Sequence, residues 1–549
     1  MSLLEKAIKY VSPSWALNRA QTSAKLQAFE SYKGASLHRR QSYHWTPFSS
    51  SADSEIAHGT LDVLRTRSQD LYKNHPLGKA AIDRQVINVI GTGLWPEPVI
   101  EAKPLGITED QAKELEATAK TEWAIFSQEC DLRRTFSFNG LIEIAFKSAL
   151  LRGDVFVNTP MVRYPGQTYS TKLQLIEADR VSNPNLALDT VKMMGGIEKG
   201  ANGDPAAYHV LDHFPGELLP GANVHKWRRL QAFNPMTGLR QVMHLSLFDR
   251  PDQSRGLPVL TPILEPLKML DRYRDAELMA AVVGGMFTVF VRTESDMRLG
   301  RLAPRGDKQN AVEPGAEKAD ELHMGDGLIN YLMPDESIDV ANPGRPNANY
   351  EPFVVAILKE IGAGLSIPFE ELILFYQSSF SAARASIIQA WKLYLSRRVW
   401  LASMLLNHVW QLFWQESVAL GRIPVRDFSR PDRRALYTRV LWNGPTRGAI
   451  NELQSVQAAA LSVASGFSDQ HFESQRLHGL DGAQVTRNLI NQNAARIAGG
   501  LAPLGTSGTR AQSGKDVGNG NGNDQQVQQL LQIIAEQQQM LQLSNIMHQ

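Results

Sequence analysis

Residues 351–414, EPFVVAILKEIGAGLSIPFEELILFYQSSFSAARASIIQAWKLYLSRRVWLASMLLNHVWQLFW, constrain the fold most, because they read as two helices joined by one unusual connection. The first helix, 353–364, carries Val354, Val355, Ile357, Leu358 and Ile361 at helical spacing, and Gly362, Gly364 and Pro368 are expected to stop it. The second, 381–417, repeats Ile387, Trp391, Tyr394, Leu395, Val399, Ala402, Leu405, Leu406, Val409 and Phe413 every three or four residues. That spacing predicts one continuous buried stripe on a rod roughly 55 Å long. The connection, 366–380, is apolar in its middle and hydroxyl-rich at its end, a length and composition that point to function.

A chain of 549 residues exceeds one hydrophobic core and divides into modules. Residues 1–60 are polar with basic and aromatic residues interspersed; they read either as an arm touching DNA or a neighbouring subunit, or as a partly ordered terminus. Helices are expected from Leu61 to Gly91 and Gly93 with a break at Pro76, over 108–128, and over 138–151. Strands are expected at 154–159, 172–178, 207–211 and 241–248, with a tight turn at Asn202-Gly203, so residues 61–256 form an α+β module.

At Gly256-Leu257-Pro258 the texture changes to a helix with the narrow stripe Met269, Tyr273, Ala276, Ala280 and Val283, suited to a bundle or ring of like helices. Thr261 and Pro262 read as its N-cap and first-turn pair, while Pro266 leaves a later start open. The uncharged run 278–291 is too short to span a bilayer and reads as a helix entering a strand. A strand-rich excursion with a polar insert at 294–323 then returns to residue 351, so the pattern is a stalk with a head. Beyond the long helix comes a helical module to about residue 502, then a Gly/Ser/Asn/Asp-rich flexible linker at 503–526. The Gln-rich end, 527–549, spaces Val527, Leu531, Ile534, Gln538 and Leu541 like a short heptad seam; a coiled coil on an existing oligomer and a frayed tail are both open.

Lys plus Arg number 57 against 56 acidic residues, and a net charge of +1 argues against a surface built to grip nucleic acid. Cys130 is the only cysteine, which excludes an intrachain disulfide and suits a reducing compartment. The N-terminal residues lack the apolar core of a secretory signal. No catalytic constellation stands out: His209, His213 and His225 have no metal-ligand spacing, and Glu370-Glu371 read as a solvated pair on a loop edge. We therefore expect no enzyme, cofactor, metal or membrane partner.

Several stretches resemble the lambda-type portal family of tailed bacteriophages. In RSQDLYKNHPLGKAAIDRQVINVIGTGLWPEP the likeness lies in Arg67, Asp70, Asn74, Pro76, Ala81, Ile82, Asp83, Asn88, Gly91, Gly93 and Pro96. His244 and, in RPDQSRGLP, Arg250, Gln253, Arg255, Gly256 and Pro258 resemble the segment before the family's first stem helix. LKEIGAGLSIPFEEL with FSAARASIIQAW, and WNGPTRGAI, complete an ordered set from about residue 60 to 480. Two departures stand out: Leu372-Ile373-Leu374-Phe375-Tyr376 replaces a polar Gly/Asp-containing sequence, and Asn451-Glu452 stands where Asp-Pro is common.

The resemblance implies a mainly helical α+β portal-type fold assembled as a ring, usually of twelve copies, at one capsid vertex, through which DNA is packaged and ejected. It implies an N-terminal arm (1–60), wing (61–256), first stem helix (257–291), clip (292–350), second stem helix (351–365), tunnel loop (366–380), long wing helix and following segment (381–440) and crown (441–502). The stem would present Tyr273, Ala276, Ala280, Val283 and Lys359. In the tunnel loop, Leu372, Ile373, Leu374 and Phe375 are expected to pack against neighbouring loops, while Tyr376, Gln377, Ser378 and Ser379 face the DNA. Implied partners are copies of itself, the terminase large subunit, head-completion or adaptor proteins, the major capsid or scaffolding protein, and double-stranded DNA held weakly. Implied locations are the virion and, during assembly, the host cytoplasm. The alternatives are another scaffold of a large assembly, or a nucleic-acid enzyme without a recognised motif.

Overall fold

A computed structural model describes residues 50–56, 59–217, 226–285, 289–293, 336–340, 347, 349–376, 379–448, 451–479, 482–499 and 501. The chain divides into two compact units, one ending at Gly448 and the other beginning at Ala449. The arm before residue 50, the polar insert, the linker and the Gln-rich end lie outside the described residues.

In the first unit a short turn of helix, α1 (Ala52–Glu55), precedes the helical pair α2 (Thr60–Asn74) and α3 (Pro76–Val89). His75 separates the pair: it ends α2, its ring caps α3, and Pro76 fills the first position of α3, where a missing N–H costs nothing. Strand β1 (Trp95–Pro98) and α4 (Ala102–Leu105) lead to α5 (Glu109–Glu129), which starts with a capping box between Thr108 and Gln111. Helix α6 (Phe138–Arg152) then runs into β2 (Asp154–Asn158). All five residues of β2 are buried, because β2 is the middle strand of an antiparallel sheet between β3 (Gln174–Glu177) and β8 (Val242–Ser246).

A second antiparallel sheet runs β4 (Met193–Met194), β5 (Ile197–Lys199), β6 (Pro205–Leu211), β7 (Trp227–Gln231). Its small core, Phe156, Ile176, Ile197, Tyr208 and Val242 among others, joins the two sheets. The Asn202-Gly203 turn falls between β5 and β6, with Gly203 at φ 80°, but β4, β5 and β7 have no alternating signal strong enough to be read from sequence.

Helix α7 (Leu264–Gly285) follows a 3-10 turn at Thr261–Ile263, so Thr261 is not the N-cap of the helix; the later start left open by Pro266 is the one adopted. The stripe on α7 is only partly covered: Tyr273 and Ala280 are half-buried, whereas Met269 and Ala276 are exposed. Strands β9 (Val289–Thr293) and β10 (Glu336–Val340) pair antiparallel, and the chain returns through α8 (Tyr350–Leu365). Helix α8 packs along α7 with Tyr273 stacked on Tyr350 at 5.7 Å and edge-on to Phe353 at 4.7 Å.

Gly362 and Gly364 do not stop α8 but lie inside it. A Cβ on Gly362 would come within 2.7 Å of the Ile367 carbonyl, and one on Gly364 within 2.9 Å of Ile263, so both permit close approach. The helix ends at Ser366, which takes the left-handed conformation at φ 57°.

The long rod consists of α10 (Phe380–Leu401), a π-turn (Ala402–Leu406) and α11 (Asn407–Ala419). The predicted single stripe fails in the middle: Leu395 and Val399 are exposed, and the buried face runs through Ala390, Tyr394, Leu401, Leu405, Val409, Trp410, Phe413 and Trp414. These residues meet Trp123, Phe126 and Phe138 in an aromatic core, with Trp123 5.2 Å from Trp410 and from Phe413. Helix α12 (Pro431–Tyr437) follows, and β11 (Val440–Asn443) pairs with β1, placing Trp442 5.7 Å from Trp123. Thus 441–448, assigned to the crown by resemblance, lie in the first unit. The second unit holds α13 (Glu452–Ala464), α14 (Gln470–His478) and α15 (Gly482–Ala498).

Candidate functional site

Residues 366–376 of the connection hold more regular structure than a loop. Ile367 is buried, Pro368 precedes the short helix α9 (Phe369–Ile373), and Leu374 ends it in the left-handed region at φ 55°. A pair of non-glycine residues with positive φ therefore brackets a five-residue helix. Such conformations cost energy and persist where the surroundings hold them.

Leu372 is the anchor. It is buried in the chain's own core, so of the four residues expected to meet neighbouring loops it is already satisfied within one subunit. Ile373 is half-buried, while Leu374 and Phe375 are more than half exposed. Glu370 and Glu371 sit on α9 and not on a loop edge: Ser386 donates to Glu370 at 2.8 Å, and the Tyr376 hydroxyl donates to Glu371 at 2.5 Å. Burial first, then Glu371, pushes the Tyr376 hydroxyl pKa upward, so it is a neutral donor. The Ser379 hydroxyl oxygen accepts from the Ala382 N–H and caps α10, a bond that does not use its O–H. Gln377 and Ser378 lie outside the described residues.

Helix α9 and α10, the first segment of the rod, rest on α3, which carries much of the N-terminal signature. Tyr394, buried on α10, has its hydroxyl pKa raised by burial and then by Glu371. Farther along, Arg398 donates to the carbonyls of Val89, Asn88 and Pro445 at 3.1, 3.2 and 2.8 Å. It thereby satisfies the carbonyl end of α3 with a cation, where the helix dipole favours one. Burial alone draws its pKa down to about 10.

Of the stem residues, Tyr273 makes the aromatic contacts described above and exposed Lys359 places its ammonium 5.7 Å from the Phe369 ring centre, within cation–π range. The Val283 side chain lies outside the described residues.

The junction between the α+β module and α7 holds a buried ion cluster. Asp154, fully buried, accepts from Arg65 at 2.9 Å, from Arg255 at 2.6 and 3.1 Å, and lies 3.3 Å from His244. Arg255 also donates to the carbonyls of Ala178, Val181 and Gly195. Burial would raise the Asp154 pKa, but Arg255 and Arg65 override it and hold it well below the usual carboxylate value. Burial draws Arg65 down to about 10. Gly153 and Gly256 cross backbone to backbone with no room for a Cβ on either. Arg255, Gly256 and His244 were visible as matched positions; Asp154 and Arg65 were missed, because nothing local in the sequence pairs residues 65, 154 and 255.

Asp53 extends this junction: its carboxylate accepts from the Ser254 N–H at 2.7 Å and hydroxyl at 2.8 Å and from Lys199 at 2.8 Å. Among the described residues no group of three His, Cys, Asp or Glu could hold a metal ion, and His209 and His213 instead face Glu198 and Glu217. No helix among them is long and apolar enough to cross a membrane. Burial pushes the Cys130 thiol up to about 12, so it is an unreactive core residue.

Comparison with known proteins places these features in a lineage. Portal protein B of Escherichia phage lambda is 24% identical over 489 residues, covering 86% of this chain and 90% of its own length. The portal protein of Escherichia phage N15 is 24% identical over 480 residues, covering 84% and 89%. A chain in the solved neck of a native gene transfer agent particle, computed with C12 symmetry, aligns with a TM-score of 0.39 at 13% identity, covering 75% of this chain and 92% of that one. The family model described as phage portal protein, lambda family, matches residues 38–398, and the chain belongs to that family.

Proposed function

We propose that this portal protein assembles head-to-tail into a closed ring, the twelve-fold ring usual for the family, at one vertex of the capsid. Family membership over residues 38–398 carries the reading. Helix α7, with Met269 and Ala276 exposed beside mixed charge, supports it, because a narrow apolar stripe pairs most simply with a rotated copy of itself. In this reading the first unit supplies wing, stem and clip, and the helical second unit the crown. Double-stranded DNA passes along the axis during packaging and ejection. The near-zero net charge suits a conduit, since each cation that neutralises a phosphate would make DNA stick. The role is structural, and a nucleic-acid enzyme finds no support in the family.

The 292–350 excursion is assigned to the clip, which meets the terminase large subunit during packaging and head-completion proteins afterwards; the wing faces the major capsid or scaffolding protein. The protein would pass from host cytoplasm to virion. The 366–380 connection is assigned to the narrowest part of the channel, where Gln377, Ser378 and Ser379 would donate neutral hydrogen bonds to phosphate and Tyr376, whose proton goes to Glu371, would line the wall.

Native mass spectrometry of the purified chain tests the ring: a single closed oligomer is expected, and monomer or dimer alone across several salt conditions would refute it. Deleting 294–323 is expected to leave rings intact while abolishing terminase binding; retained packaging moves the docking surface elsewhere. Replacing Gln377 and Ser378 by Asp in intact rings is expected to impair packaging or DNA retention, and normal behaviour places the constriction at another segment.

A further inference from the structure

His75 stands where three helices meet. Its backbone N–H donates to Leu71 at 2.9 Å and closes α2, while its ring Nδ1 accepts from the Leu77 N–H at 3.1 Å and opens α3. The ring is 5% exposed, and its other nitrogen, Nε2, lies 3.2 Å from Asp271 Oδ1 on α7. That approach is off the hydrogen-bond line, so Nε2 is buried and aimed at α7 without a bond of good geometry. Because Nδ1 accepts, the proton of the neutral ring sits on Nε2, facing Asp271. The charged groups acting on the ring are Asp271, which also accepts from Arg274 at 3.1 Å, and Arg274 and Lys268, all on α7.

We infer that His75 is a positioning residue that couples the setting of α7 to the α2–α3 elbow, one ring nitrogen serving each side. A small tilt of α7 brings Asp271 onto the Nε2–H axis, and the same ring holds the first turn of α3. Helix α3 in turn supports α9 and α10, the first segment of the rod. Movement of the stalk thus has a contact route to the 366–380 connection that does not pass through α8. Only the words stalk and channel rest on the portal reading; the coupling concerns one subunit's geometry.

The two nitrogens can be separated by isosteres. In His75→Asn the amide oxygen replaces Nδ1, and in His75→Gln the amide nitrogen replaces Nε2. Hydrogen exchange is read on peptides covering 76–83 and 264–277 of the full chain. His75→Asn is expected to leave 76–83 at its wild-type rate and to speed exchange in 264–277 by a few-fold, the scale of a buried N–H facing a carboxylate without an aligned hydrogen bond. His75→Gln is expected to do the reverse. Asp271→Asn is expected to match His75→Asn in 264–277, and the double variant to add nothing further. Equal acceleration of both peptides in His75→Asn overturns the proposal, because it marks a residue that merely fills space. If His75→Gln does not fold, Asp271→Asn decides: unchanged exchange in 264–277 overturns the coupling. Native mass spectra of the same samples report ring formation separately, so failure of the portal reading and failure of this inference are distinguishable.

Discussion

The Asp154 junction and the 366–380 connection use polar groups in opposite ways. At the junction, full charges are buried and every oxygen of Asp154 is taken, by Arg65, Arg255, His244 and the Gly256 N–H. At the connection, among the described residues, hydroxyls and two carboxylates are held locally, and the apolar Leu374 and Phe375 face outward. A buried ion network tolerates no partial loss, because each removed member leaves an unpaired charge out of water. A half-exposed set of neutral donors can lose a member to solvent at little cost. One region is bonded throughout its interior, and the other keeps apolar side chains and locally held polar groups at the surface.

Asp154→Ala tests that contrast most severely. It strands Arg65 and Arg255 in the interior and is expected to cost about 3–5 kcal/mol in denaturant unfolding. A loss below ~1 kcal/mol would mean that water enters the junction and that it is not rigid. The same cluster sets an acid limit. Because the folded Asp154 pKa lies below its ordinary 3.8, its contribution is complete above that value and is lost as pH falls through the folded pKa. A pH series of unfolding curves is therefore expected to show a steeper acid decline in the wild type than in Asp154→Asn.

Leu372→Ala comes next, at about 2–4 kcal/mol, because it empties a site in the main core. The connection is then expected to gain proteolytic sensitivity before the rest of the chain does, whereas a uniform response would show it to be part of the rigid frame. Ser379→Ala removes the cap of α10 and should cost about 1 kcal/mol, with the change in exchange confined to the first turn of that helix. Tyr376→Phe leaves Glu371 free to meet water and should change stability by under ~0.5 kcal/mol. A larger effect on DNA retention than on melting would sharpen the assignment of Tyr376 to the channel.

What could be read from the sequence follows the reach of each interaction. The helices starting at Thr60, Pro76, Glu109 and Phe138, and the strand at Asp154, have caps, glycines and apolar spacing within a few residues of themselves. Short strands such as Met193–Met194 owe their existence to partners and carry no pattern alone. Gly362 and Gly364 looked like stop signals because a glycine's local meaning is to break helices, but a neighbouring backbone decided their use. Ser379, expected to face the DNA for its hydroxyl, also caps α10 through its oxygen, a second use that depends on where that helix starts. The Asp154 cluster joins three distant positions and could be seen only once the chain was folded.

The π-turn at Ala402–Leu406 has a consequence of its own. An α-helix presents one angular phase along its length, and an extra residue in a π-turn shifts everything beyond it by about 100°. The rod serves two environments, α3 and the connection near its start and the aromatic core near its end, and a single phase cannot face both. Removing one residue from 402–406 would give a more regular helix and a worse protein, since Trp410, Phe413 and Trp414 would turn away from Trp123 while Tyr394 kept its place. The irregular turn works as a clutch between two halves that need different bearings on one axle.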